Sequence, residues 1–319
     1  MKGTKIYDNK FTLGDKIATG GFATIHLAEK ATPEELSGKL VVKIAKIEDR
    51  KGINASVYKE AELLAQFKHK NIVRLHKLPP MRGKTSERIW ANAGTIKGRP
   101  AFFLMEYLRG GTLQDYMDHM KQLSSAETAA IGIQVARGLD HVHKKNFAHN
   151  DLKLENIVFR TPVEAGKPFD PVLIDFGIAT KVKVQVNQGT IYIMSPEQLE
   201  LAQDTTPPEV REEKEEGLDK TKVDVWGLGI VLYYLLTGEL PFRGRGAKGT
   251  TSRILNNQPL AINSLAKAPV DDYLEELILE GCLSKNPRHR LELIELGRAL
   301  RDIAAGVTAE RSGAMKRLR

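Results

Sequence analysis

The sequence predicts an α+β fold of two unequal parts, a strand-rich front and a longer, mainly helical back. Between Phe11 and Ile47 short apolar segments rich in β-branched residues alternate with polar ones, which is a strand pattern. Beyond Gly111 the apolar residues recur at helical spacing over much longer segments. A short run, Glu106-Tyr107-Leu108-Arg109-Gly110-Gly111, separates the two regimes and reads as a linker. With 319 residues, 41% hydrophobic and 28% charged, the chain has a globular balance and room for two domains or one large two-lobed one.

Taken in order, Phe11-Thr12-Leu13-Gly14 leads into a glycine turn at Gly20-Gly21, followed by strand-like Ile25, Leu27 and Ala28 and then Leu40-Val41-Val42-Lys43-Ile44. Asn54 to Lys68 predicts a helix: Val57, Ala61, Leu64 and Phe67 share one face, with Glu60 between two of them. Ile72 to Leu78 and Ala101 to Glu106 predict strands. Pro79 to Pro100 is polar, basic and rich in glycine and proline, and reads as an inserted loop. Ser124 to His143 predicts a helix with a serine cap pair at its start. Val172 to Ile174 is a short strand, and Thr161 to Pro171 before it a hairpin extension. Thr221 to Thr237, Asp271 to Ser284 and His289 to Ala305 are further helices. A second insert, Leu201 to Lys220, carries the solvated charge run Glu212-Glu213-Lys214-Glu215-Glu216.

The net charge of +8 and a pI near 9.3 raise the question of nucleic acid. The basic residues are spread along the chain, with no zinc-finger spacing and no aromatic RNA-binding signature. Only weak attraction to anionic partners is expected, and no specific nucleic-acid partner. The N-terminus lacks a signal-peptide core. The longest uncharged apolar stretch, Val225 to Leu236, is 12 residues, which suits a buried helix and is too short to span a bilayer. The single cysteine, Cys282, excludes an intrachain disulfide and reads as a small core residue. A cytoplasmic location is the expectation, with no transmembrane segment in the chain. The last nine residues, Arg311 to Arg319, carry four basic side chains and no acid, and read as a frayed tail.

The chemistry is concentrated in His149-Asn150-Asp151-Leu152-Lys153-Leu154-Glu155-Asn156 and, downstream, Asp175-Phe176-Gly177. Two carboxylates, an ammonium and an amide at these spacings are the set that phosphoryl transfer from a nucleotide–metal complex needs. One carboxylate orients a hydroxyl nucleophile and accepts its proton. The lysine neutralises charge on the moving phosphoryl group. The amide and the second carboxylate hold divalent metal. Here the chain resembles the eukaryotic-type protein kinases, specifically their serine/threonine branch and its compact bacterial members. The resemblance runs from Phe11 to Ala305 with the motifs in family order.

That resemblance implies a bilobal protein-kinase fold: a β-rich N-lobe over 1–105, a hinge over 106–111, a helical C-lobe over 112–307 and a basic tail over 308–319, with a nucleotide cleft between the lobes. It makes Asp151 the base, Lys153 the charge stabiliser, and Asn156 and Asp175 the ligands of Mg²⁺, with Mn²⁺ as a substitute. Lys43, in a strand resembling the family's V-A-I-K, contacts the ATP phosphates and pairs with Glu60. The remaining nucleotide-binding set is Ile17, Gly20, Gly21, Ile25, Val41, Met105, Glu106, Leu108 and Val158. In Gly189-Thr190-Ile191-Tyr192-Ile193-Met194-Ser195-Pro196-Glu197, Thr190 would lie near Asp151 and Lys153 and favour a serine or threonine acceptor. Glu197 would pair with Arg290, Asp224 would anchor the catalytic loop, and His149 would pack against Phe176 with Leu64 and Leu75. Protein substrates are the implied partners, with a transient homodimer for autophosphorylation in trans.

Two departures stand out. In Ala18-Thr19-Gly20-Gly21-Phe22-Ala23 alanine replaces two of the three family glycines. Asn150 stands where the family commonly has an arginine that an activation-segment phosphate neutralises, so activity without that phosphorylation is expected. The competing readings are a pseudokinase scaffold that binds nucleotide or a partner without turnover, and a small-molecule kinase on the same fold.

Overall fold

The computed structural model of the chain describes residues 1–30, 39–46, 52–176, 191–203 and 217–306. Elements are numbered in chain order among these residues. They gather into two compact units, one of Met1–Arg109 with Ile174–Thr180, the other of Gly110–Leu173 with Lys181–Arg319.

The first unit is built on an antiparallel sheet of β1 (Lys5–Ile6), β2 (Phe11–Thr19), β3 (Ala23–Lys30), β4 (Leu40–Ala45), β5 (Leu75–His76), β6 (Ala91–Asn92) and β7 (Ala101–Glu106). The strand order is β1-β2-β3-β4-β7-β5, with β6 also on β7. Ile25 lies opposite Lys43 and Lys43 opposite Phe103; Leu27 lies opposite Val41 and Val41 opposite Met105. Side chains alternate along a strand, so Ile25, Val41, Lys43 and Met105 share one face. The other face carries a core of Phe11, Leu13, Leu40, Val42, Ile44, Phe102 and Leu104. Helix α1 (Ile53–Leu64) buries Val57, Ala61 and Leu64. It ends before the expected Lys68, because the next residues tighten into turns in which Gln66 and Phe67 donate to the carbonyls of Leu63 and Leu64.

The expected loop at 79–100 has more structure than its composition suggests. Leu78 pairs with Arg88, β6 pairs with β7, and Leu78, Ala91, Ala93 and Ile96 are buried in the core on the outer face of the sheet. An apolar sheet face must be covered, and this segment with β1 covers it. Tyr7 joins the same core beside the Phe11 and Phe102 rings, and its hydroxyl donates to the Pro79 carbonyl at 2.8 Å.

The second unit holds α2 (Leu113–Met120), α3 (Ser125–His143), β8 (Ile157–Phe159), β9 (Pro171–Leu173), α4 (Pro196–Gln203), α5 (Lys220–Thr237), α6 (Gly246–Asn256), α7 (Asp272–Leu279) and α8 (Leu293–Ala304). Ser124 caps α3 in a reciprocal capping box with Glu127, as the serine pair predicts. Strands β8 and β9 pair antiparallel, closing the expected hairpin. At Gly132, where α3 meets α5 and α8, an added Cβ would come within 2.8 Å of Leu232 and 3.0 Å of Leu300. Helix α5 is buried nearly all round, which accounts for its uninterrupted apolar run. Among the described residues no helix is long and apolar enough to cross a membrane. Cys282 is fully buried, and burial pushes its thiol up to about 12, so it is an inert core residue. The charge run at 212–216 and the tail at 308–319 lie outside the described residues.

Candidate active site

In the first unit, strand β4 presents Lys43 to Glu60 of α1. The Nζ–Oε1 distance is 2.6 Å, and Asp175 Oδ1 lies 2.9 Å from the same ammonium. Burial pulls the Lys43 ammonium down, but the Glu60 and Asp175 carboxylates outweigh it and hold it above the ordinary lysine value. Burial pushes the Glu60 carboxyl up, Lys43 opposes this, and the Asp175 charge adds to the rise. Glu60 also accepts the Phe176 N–H, and the Phe176 ring centroid lies 5.3 Å from that of Phe67. Asp175 has a left-handed φ of 62°, a conformation aspartate tolerates better than most residues.

Ile25, Val41 and Met105 lie on the Lys43 face of the sheet, and Ile17 sits on β2 beyond a register shift. Gly20 closes the hairpin by donating to the Ala23 carbonyl at 2.9 Å. Neither Gly20 nor Gly21 has positive φ; a Cβ on Gly20 would meet only Ala23 O at 3.6 Å, and one on Gly21 would meet nothing within 4 Å. Alanines 18 and 23 likewise have ordinary φ, so this turn does not require glycine for its backbone shape. The Glu106 N–H donates to Arg74 O, and Leu108 follows, partly buried.

In the second unit, Asp224 on α5 is the anchor. Its Oδ2 accepts the His149 N–H at 2.8 Å, and its Oδ1 accepts the Asn150 N–H at 2.8 Å. His143, at the end of α3, lies 2.7 Å from Asp224 Oδ2. Asn150 takes a left-handed φ of 62° in this loop. These contacts present Asp151, only 5% exposed. Its Oδ2 accepts from Lys153 Nζ at 2.8 Å and from Asn156 Nδ2 at 3.0 Å, while Asn156 Nδ2 also donates to the Asp151 carbonyl at 2.8 Å. Asp151 Oδ1 is buried and has no hydrogen-bond partner among the described residues. Val158 is buried in β8. Glu197 grips Arg290 through two hydrogen bonds, of 2.6 and 2.8 Å, so this expected ion pair is formed. Gly110, at the start of this unit, donates to Phe159 O; an added Cβ would come within 2.3 Å of Thr161 O. Thr190 and Gly177 lie outside the described residues.

His143 carries no sequence signal: 81 residues separate it from Asp224. Helices α2, α4 and α6 were equally hard to read. Helix α2 is short, α4 is short and begins at a proline, and α6 opens on Gly246-Ala247-Lys248-Gly249.

The family pattern described as the protein kinase domain matches residues 11–299 of the chain. The chain belongs to the protein kinase family. The chain is 28% identical to mouse death-associated protein kinase 2 over 247 residues, covering 76% of the chain and 59% of that relative. It is 28% identical to mouse sperm motility kinase 3A over 291 residues, covering 90% of the chain and 48% of the relative. It is 30% identical to the serine/threonine-protein kinase PkaA of Streptomyces coelicolor over 250 residues, covering 78% of the chain and 40% of the relative. The kinase thus spans about half the length of the curated relatives it matches.

Proposed function

We propose that the chain transfers the γ-phosphoryl group of ATP to serine or threonine hydroxyls of proteins, its own copies included. The observation that carries this reading is the state of Asp151. One carboxylate oxygen is held by Lys153 and Asn156, and the other is buried and takes no hydrogen bond from the described residues. A buried acceptor so fixed is suited to orient an incoming hydroxyl and take its proton. Lys153 balances the charge on Asp151 and is suited to stabilise the moving phosphoryl group. Lys43, kept charged and aimed by Glu60, is suited to bind the phosphates. Ile25, Val41 and Met105 offer an apolar sheet face for the base. The Glu106 N–H is engaged by Arg74, so a contact from Glu106 to the base would use its carbonyl.

In each unit one expected metal ligand has the chemistry a divalent metal needs. Asn156 spends its amide hydrogens on Asp151, which leaves its oxygen as the remaining polar atom. The Asp175 side chain is 47% exposed and offers a carboxylate. Both are hard oxygen donors suited to Mg²⁺ or Mn²⁺. When bound, such an ion neutralises phosphate charge.

The pseudokinase reading leaned on alanines 18 and 23 and on Asn150; its first support weakens because the turn's backbone has no need of glycine. Protein substrates, a transient homodimer and a cytoplasmic location complete the proposal. The test is to incubate the chain with γ-labelled ATP, metal and a basic acceptor protein, then hydrolyse the product and identify the labelled amino acids. Label on phosphoserine and phosphothreonine is expected. Label on phosphotyrosine alone, or none, contradicts the proposal. Because Asn150 presents no cation needing a phosphate, phosphatase-treated protein should keep at least about half its rate; activity that vanishes and returns only on autophosphorylation would refute that part.

A further inference from the structure

The segment 79–100 does more than cover the sheet, because its far end takes hold of α1. The Trp90 ring lies against Tyr58 of α1, with centroids 4.1 Å apart and planes at 37°. Two residues on, Asn92 Nδ2 donates to the Tyr58 hydroxyl at 2.6 Å and to the Arg99 carbonyl at 2.9 Å. One turn earlier on the helix, Asn54 Oδ1 accepts the Ala101 N–H at 2.7 Å. Asn54 and Tyr58 are four residues apart and so lie on one side of α1. Glu60, which holds Lys43 at 2.6 Å, follows Tyr58 by two residues. The clasp has a firm base, since Ala91 and Ala93, alternating with Trp90 and Asn92, are buried in the core on the outer face of the sheet.

We infer that Trp90 and Asn92 are positioning residues: through Tyr58 they hold α1 so that Glu60 stays on Lys43. The segment is then a built-in clamp that keeps the phosphate-binding lysine aligned with Glu60. This rests on the kinase reading for its consequence in catalysis. A helix with one side buried and the other unrestrained rocks about its packed face, and a displacement of about 1 Å at Glu60 is enough to cost activity. The tilted ring contact and the short hydrogen bond remove that freedom.

The experiment uses the full chain with Trp90→Ala, Asn92→Ala and the conservative Trp90→Phe. Three quantities are read: KM for ATP, KM for the protein acceptor, and amide hydrogen exchange across residues 53–64. Both alanine variants should raise KM for ATP by about fivefold to tenfold, leave the acceptor KM within about twofold, and speed exchange in α1. Trp90→Phe should return to within about twofold of wild type, because it keeps an aromatic face for Tyr58. Should Trp90→Ala fail to fold, Asn92→Ala carries the test, since it removes only hydrogen bonds at a partly buried position. Unchanged ATP KM with unchanged α1 exchange, equal rises in both KM values, or equal loss in Trp90→Phe and Trp90→Ala would each overturn the inference. If wild type transfers no phosphate at all, the kinase reading fails, and exchange alone then decides the clamp: faster opening of α1 supports it, unchanged opening overturns it.

Discussion

Lys285 shows how a single side chain can leave a mark on the stability of its unit. Its ammonium sits 3.7 Å from the Phe242 ring centroid and 5.2 Å from that of Trp226, and no hydrogen-bond acceptor among the described residues reaches it. Burial pushes Lys285 down to about 8 from the ordinary 10.5, and the nearby Arg290 charge adds to this. The sign follows from proton binding. Between pH about 8 and 10.5 the unfolded chain keeps a proton that the folded chain has released, so this residue's contribution to stability rises with pH across that window. Below it both states are protonated and the contribution is flat. Lys285→Met removes the group, so the stability difference between variant and wild type, measured by denaturation at several pH values, should shrink from pH 8 toward 10.5. Parallel curves across that window would contradict it. The residue scale is also where the sequence was most readable, for Asp151, Lys153 and Asn156 lie within six consecutive positions and their side chains meet as that short spacing leads one to expect. His143 was silent, because its role comes from where α3 ends and not from any neighbour in the chain.

Among elements, the long regular ones were legible and the compound ones were not. Helix α3 announced itself by its serine cap and α5 by its apolar run, since both signals are local. The segment 79–100 looked like a loop because its apolar residues are sparse; what gives it structure is a sheet face made by strands far from it in sequence. The join of α4 to the loop before α8 is a second case of distant assembly, and here family order supplied the partners. Arg290 is 2% exposed and takes both oxygens of Glu197, with further bonds to the carbonyls of Ser284 and Lys222. Glu197→Gln removes the compensating charge and leaves the guanidinium buried, so the second unit should lose about 3 kcal/mol in urea denaturation. A loss under about 1 kcal/mol would mean that the carbonyls alone satisfy Arg290.

For the whole molecule, Lys43, Glu60 and Asp175 meet within the β-rich first unit, and Asp151, Lys153 and Asn156 meet within the helical second unit. The strand-to-helix change near Gly111 was visible as a change in hydrophobic period. That 174–176 groups with the first unit was not visible, since that is a property of contacts and not of composition. The central claim is that Asp151 acts as the base toward a protein hydroxyl. Its most direct test compares wild type with Asp151→Asn under magnesium or manganese, measuring transfer of γ-label from ATP to an acceptor protein and nucleotide affinity on the same preparations. The account predicts that the variant loses at least about a hundredfold in transfer rate while its nucleotide affinity stays within about twofold. Undiminished transfer by Asp151→Asn, or no transfer by wild type, would contradict it.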